Sequence, residues 1–147
     1  MKRVSKISWF EPVTFVFFGV FHLHRVWAFF DRAGYARFWL SVMENRNAFY
    51  YIGMGSIAAL CAAGIAVFVK NRGGNYWWRW FYVFGGGYVL FDLSAILTGL
   101  EIWKRLLYTM FDVTFPYWNV LWGGFVGLGA VSLAIGAHII KDGFKRG

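Results

Sequence analysis

The chain has 147 residues, of which 59% are hydrophobic, 23% aromatic and only 15% charged, with a formal net charge of +8. A soluble domain of this size needs far more polar surface, so this composition and a mean hydropathy of +0.50 point to an integral membrane protein. The basic excess then reads as orientation and attraction to anionic lipid, about 1 kcal/mol per basic residue near the surface, and not as a nucleic-acid footprint.

A helical span needs about 20 mostly apolar residues, and the chain divides into four such stretches: Pro12–Phe30, Phe49–Val69, Trp80–Gly99 and Tyr117–Ile140. The expected fold is all-α: a single transmembrane domain over 1–147, with four helices antiparallel in sequence order. Lys and Arg resist translocation. Nine of them (Lys2, Arg3, Lys6, Lys70, Arg72, Arg79, Lys141, Lys145, Arg146) fall on one side and five (Arg32, Arg37, Arg46, Lys104, Arg105) on the other. Both termini are therefore expected in the cytoplasm, with the chain in the plasma or inner membrane.

In chain order, MKRVSK before an apolar run imitates a secretion signal, but no small-residue cleavage pattern comes after it and His22-Leu23-His24-Arg25 stands in its place. The segment is read as a retained first span, opened by Ser8 and Glu11 ahead of Pro12, which suits a helix start because proline has no amide hydrogen to orphan there. The connection from Asp31 to Ala48 places Phe38, Trp39, Val42 and Met43 at helical spacing, predicting a short helix lying in the outer interface.

Span two is built of small residues, with a narrow face through Gly55 and Ala59, and span four repeats the device with Gly123 and Gly127. Such faces let helix backbones approach closely, so these are the expected packing surfaces, against each other or against a second copy. Cys61 is the sole cysteine and lies in span two, so an intrachain disulfide is impossible and packing is its expected role. Tyr76 to Trp80 at the inner boundary, and Trp103, Tyr117, Trp118 and Trp122 at the outer one, are read as aromatic belts at the headgroup level. Gly85-Gly86-Gly87 lies inside a span with no Lys-Ser/Thr after it, so it is read as close backbone approach and not as a phosphate loop.

The chemistry-bearing residues lie at membrane depth. Asp92 interrupts span three, His22 and Arg25 interrupt span one, and counting from the span midpoints puts all three within about 5 Å of one another in depth. A lone charge there costs about 2.5–3.5 kcal/mol, so Arg25 and Asp92 are expected to pair, with His22, Tyr88 and Ser56 completing a ligand-binding or purely structural polar cluster. His22 and His24 lie two apart on a helix and diverge, and His138 lies about 20 Å away in depth, so no metal or bis-histidine haem site is expected. His24 is expected to share a face with Asp31 near the interface. Asp112, Glu101, Asn119 and Thr114 are read as solvated loop residues around Pro116. Ser56 has no acid and base spaced for a triad.

Three classes of function fit these residues. The first is a membrane-complex subunit or lipid- or small-ligand-binding module with a polar site in the outer half of the bilayer. The second is a membrane-embedded enzyme acting on a lipophilic substrate, and the third a transporter or channel subunit using Asp92 and His22. The expected partners are membrane lipids and a second copy or another membrane protein. No cofactor is identified by any motif.

Overall fold

The computed structural model describes residues 6–74 and 76–144; Lys2, Arg3, Lys145 and Arg146, counted above toward the basic side, lie outside them. The described residues are helical with short connections: α1 (Phe10–Leu23), a 3-10 turn (His24–Val26), α2 (Trp27–Phe30), α3 (Arg32–Glu44), α4 (Ala48–Lys70), a 3-10 turn (Trp77–Arg79), α5 (Trp80–Thr98), α6 (Glu101–Met110) and α7 (Trp118–Phe144). Four helical segments are long and apolar enough to cross a membrane: Phe10–Phe30, Ala48–Lys70, Trp77–Thr98 and Trp118–Asp142. The protein is thus a multi-pass membrane protein.

Local chemistry sets the helix ends. The Ser8 amide donates to Glu11 Oε1 at 3.1 Å, and Pro12 sits in the first turn of α1, where its missing amide hydrogen costs nothing. Asp31 Oδ1 accepts from the Gly34 amide at 2.8 Å to cap α3, and Asn47 Oδ1 accepts from the Tyr50 amide at 3.0 Å to cap α4. Gly99 ends α5 in the left-handed conformation (φ 69°), which places the Leu100 amide 3.0 Å from the Ala95 carbonyl.

The chain forms two compact units, one holding Lys6 and Asn45–Arg105, the other Ile7–Glu44 with the chain from Leu106 onward. In the first, α4 and α5 run antiparallel. A Cβ on Gly64 would meet the Tyr82 ring at 2.8 Å and one on Gly86 would meet the Cys61 carbonyl at 3.5 Å. Cys61 is buried there as a packing residue, and of the three consecutive glycines only Gly86 backs onto the neighbouring helix. Ahead of α5, Arg79 is 0% exposed; its guanidinium donates to the Lys6 carbonyl at 3.0 Å and lies 5.1 Å from the Tyr76 ring centroid.

In the second unit α1 and α7 run antiparallel in close contact. A Cβ on Gly129 would stand 2.9 Å from the Gly19 carbonyl and 2.9 Å from His22 Cβ, and one on Gly136 would stand 3.0 Å from Val16. The close approach within α7 therefore falls on Gly129 and Gly136. Gly127, like Gly55 on α4, has no atom within 4 Å of an added Cβ, and Gly123 meets only Phe29 at 3.7 Å. The expected packing glycines are thus not the ones that hold helices together within a unit.

Two tryptophans expected in an aromatic belt also depart from expectation. Trp118 is 0% and Trp122 2% exposed, in a core with Ala28, Tyr35 and Ala36, and Trp118 Nε1 donates to the Ala28 carbonyl at 2.9 Å. They are core residues because α3 folds back over them, whereas Tyr117 beside them stays exposed as a belt residue would. The connection between α5 and α7 holds a further helix, α6, whose Ile102, Trp103, Leu106, Leu107 and Met110 share one face.

Candidate functional site

Span one changes its winding where its polar residues fall. The 3-10 turn at His24–Val26 tightens the helix from 3.6 to about 3 residues per turn and rotates α2 beyond it, so the side chains leave their ideal helical faces. His22 Nδ1 donates to the Phe18 carbonyl at 2.9 Å, and His24 Nδ1 donates to the Phe21 carbonyl. A carbonyl only accepts, so each histidine carries its proton on Nδ1 and presents Nε2 as an acceptor when neutral.

His22 turns toward α7, its ring 5.9 Å from Phe125. His24 turns toward α3, 5.2 Å from Trp39 and 6.0 Å from Tyr35. The expected face shared with Asp31 is not formed, because Asp31 caps α3 instead. Arg25 lies between two rings, its guanidinium carbon 5.1 Å from the Phe21 centroid and 4.7 Å from that of Phe125. A cation over two ring faces gains their quadrupole attraction, about 2 kcal/mol or more when desolvated.

Tyr35, 1% exposed, is the hub. Its ring packs on Trp122 (5.0 Å), Trp27 (5.7 Å), Phe111 (6.0 Å), Trp39 (6.4 Å) and Trp118 (6.4 Å). Its hydroxyl lies beside the Arg25 guanidinium. Burial pushes the phenol up to about 12, against the pull of Arg25, which favours the ionised form. Three nitrogens of this cluster, His24 Nε2, Trp39 Nε1 and Trp122 Nε1, are buried with no hydrogen-bond partner among the described residues.

The residues of the expected cluster are divided between the units: His22 and Arg25 belong to the one just described, and Ser56, Tyr88 and Asp92 to the other. There Asp92 accepts a hydrogen bond from Trp103 Nε1 at 2.5 Å, a contact joining α5 to α6. Tyr88 packs on the same indole at 6.4 Å. Ser56 is exposed, and its hydroxyl donates to the Ile52 carbonyl of its own helix at 2.8 Å. The sequence reading missed Trp103 as the Asp92 partner; its signal was the apolar face of α6.

The polar residues near Pro116 form local structure. Thr114 donates to Asp112 Oδ1 from its amide at 2.8 Å and its hydroxyl at 2.7 Å, which holds the carboxyl below its usual range. Asn119 Oδ1 accepts from Arg32 at 3.0 Å, and Glu101 faces Arg105 at 3.7 Å along α6. His138 faces Asp142 at 3.4 Å, one turn along α7.

Loss of the Trp103 tether has a readable outcome. Trp103→Phe is expected to free α6 and speed tryptic cleavage after Lys104 and Arg105 severalfold. Asp92→Asn keeps an acceptor oxygen for the indole and should protect α6 nearly as well as the parent, whereas Asp92→Leu should behave like Trp103→Phe. Equal cleavage in all four proteins would mean that the tether does not hold the helix.

Comparison with family models, characterised proteins and solved structures finds no match for this chain.

Proposed function

We propose that this multi-pass membrane protein is a small-ligand-binding module, with both termini in the cytoplasm, α3 lying at the outer interface and the ligand held in the outer half of the bilayer. The supporting observation is the cluster around Tyr35, where Arg25 and three buried ring nitrogens without partners gather among aromatic rings. Buried polar groups cost about 1–3 kcal/mol each when unpaired, and a bound molecule is one way in which such groups are satisfied.

Purification in mild detergent followed by mass spectrometry of co-purifying small molecules tests this reading. A lipophilic compound present with the parent protein and lost from a Trp122→Phe, His24→Phe variant is the expected result. Identical small-molecule profiles for parent and variant would overturn it.

The topology is tested separately. Reporter fusions after Arg72 and after Gly147 should report cytoplasm and one at Asn45 the exterior, because the basic residues divide nine to five. A cytoplasmic Asn45 would sink the four-span arrangement.

A second reading, assembly with another copy or another membrane subunit, is favoured by Gly55 and Gly127, whose faces are open within the described chain. Gly127→Leu should then change the oligomeric state seen by light scattering in detergent while leaving unfolding of the chain unaltered. An unchanged state would mean that this face looks at lipid.

A further inference from the structure

We infer that the Tyr35 cluster takes a flat lipophilic ring bearing both a hydroxyl and an oxygen acceptor, the quinol and phenol class of membrane-soluble compounds. The inference rests on the ligand-binding reading above and specifies the ligand. Indole nitrogens only donate, so Trp39 Nε1 and Trp122 Nε1, the latter on a residue 2% exposed, call for acceptor oxygens. His24 is opposite in kind: its Nδ1 proton is committed to the Phe21 carbonyl, so its buried Nε2 calls for a donor.

A single ligand that meets all three must both give and receive. A phosphate diester or a carboxylate has acceptors alone and would set lone pairs against His24 Nε2. An aliphatic alcohol meets the polar demand but does not match the surroundings. Phe21, Tyr35, Phe111 and Phe125 all lie within ring-contact range of His24, Trp39 or Trp122. Offset or edge-on contact with a further ring is the arrangement that aromatic surroundings favour. Arg25, seated between Phe21 and Phe125, adds a fixed positive charge beside the acceptor oxygens.

The polarity of the set makes a distinctive demand. A quinol offers the hydroxyl hydrogen that His24 needs, and the same molecule with its hydroxyls methylated does not, although ring, size and lipophilicity are nearly unchanged. One hydrogen bond is worth about tenfold in affinity.

The full chain in phosphatidylcholine nanodiscs would be titrated by calorimetry with a short-chain benzoquinol kept reduced, its dimethyl ether, oleate, and discs doped with phosphatidylglycerol. The expected result is quinol binding about tenfold tighter than the ether, a comparable loss in Trp122→Phe, and no change in Trp77→Phe, an exposed indole of the other unit. Because the ether comparison uses the unmodified protein, it holds even where a variant folds poorly. Binding of oleate or phosphatidylglycerol that Trp122→Phe abolishes, without quinol binding, would overturn the ligand class and leave the ligand-binding reading standing. No binding by any probe, with Trp122→Phe more heat-stable than the parent, would overturn both and make the cluster packing alone.

Discussion

Gly129→Leu drives α1 and α7 apart and is expected to lower the stability of the folded protein by about 3 kcal/mol or more, at the upper end of overpacking costs. The reason is what surrounds the glycine: an added Cβ would stand 2.9 Å from the Gly19 carbonyl and 3.1 Å from the Leu23 amide. These are backbone atoms, and they move only if a helix moves. A Cβ added at Gly127, two residues earlier, meets nothing within 4 Å, so Gly127→Leu should leave unfolding unchanged. Thermal unfolding of both variants in the same detergent makes the comparison, and a Gly129→Leu midpoint equal to that of the parent would show that the two helices do not meet there.

Truncating the hub is expected to cost as much. Tyr35→Ala removes a ring packed on Trp122, Trp27, Phe111, Trp39, Trp118 and His24, and deletion of a buried aromatic side chain typically costs about 3–5 kcal/mol. Tyr35→Phe keeps the packing and loses only the hydroxyl, so it should cost about 1–3 kcal/mol and change the alkaline limb of stability. The sign is set by the direction of the shift: the folded phenol ionises near 12, above the ordinary 10.0. Below pH 10 both folded and unfolded chains hold the neutral form, and the stabilisation is whole. From about pH 10 to 12 only the unfolded chain ionises, so stability falls. Unfolding followed across that window should decline more steeply in the parent than in Tyr35→Phe, and parallel declines would show that Tyr35 is not buried in the folded state.

The spans were legible because an apolar run of membrane length is a one-dimensional signal. The predicted stretches 12–30, 49–69, 80–99 and 117–140 differ from the helical segments by only a few residues at their ends. The helix α3 was legible from its stripe, while α6 was passed over as a solvated connection although Ile102, Trp103, Leu106 and Met110 carry the same kind of spacing. The site was legible only in part. Arg25 and His22 announce themselves as polar groups at depth, but Tyr35, Trp39, Trp122 and Phe125 come from α3 and α7 and look like interface aromatics until α3 folds over them. Small residues lie on more than one face of α7, so composition could not separate Gly129 and Gly136, which face α1, from Gly123 and Gly127.

The corner at Gly99 carries a consequence for the bilayer itself. With its left-handed turn closing α5, the chain starts α6 two residues later, so span three cannot lengthen by winding further residues onto its end. Its 22-residue segment is about 33 Å long and the 25-residue segment of α7 about 37 Å, at about 1.5 Å per residue, against a hydrocarbon layer of about 30 Å. Span three therefore acts as a ruler of fixed length, and a change in membrane thickness is absorbed by its tilt and by deformation of the surrounding lipid.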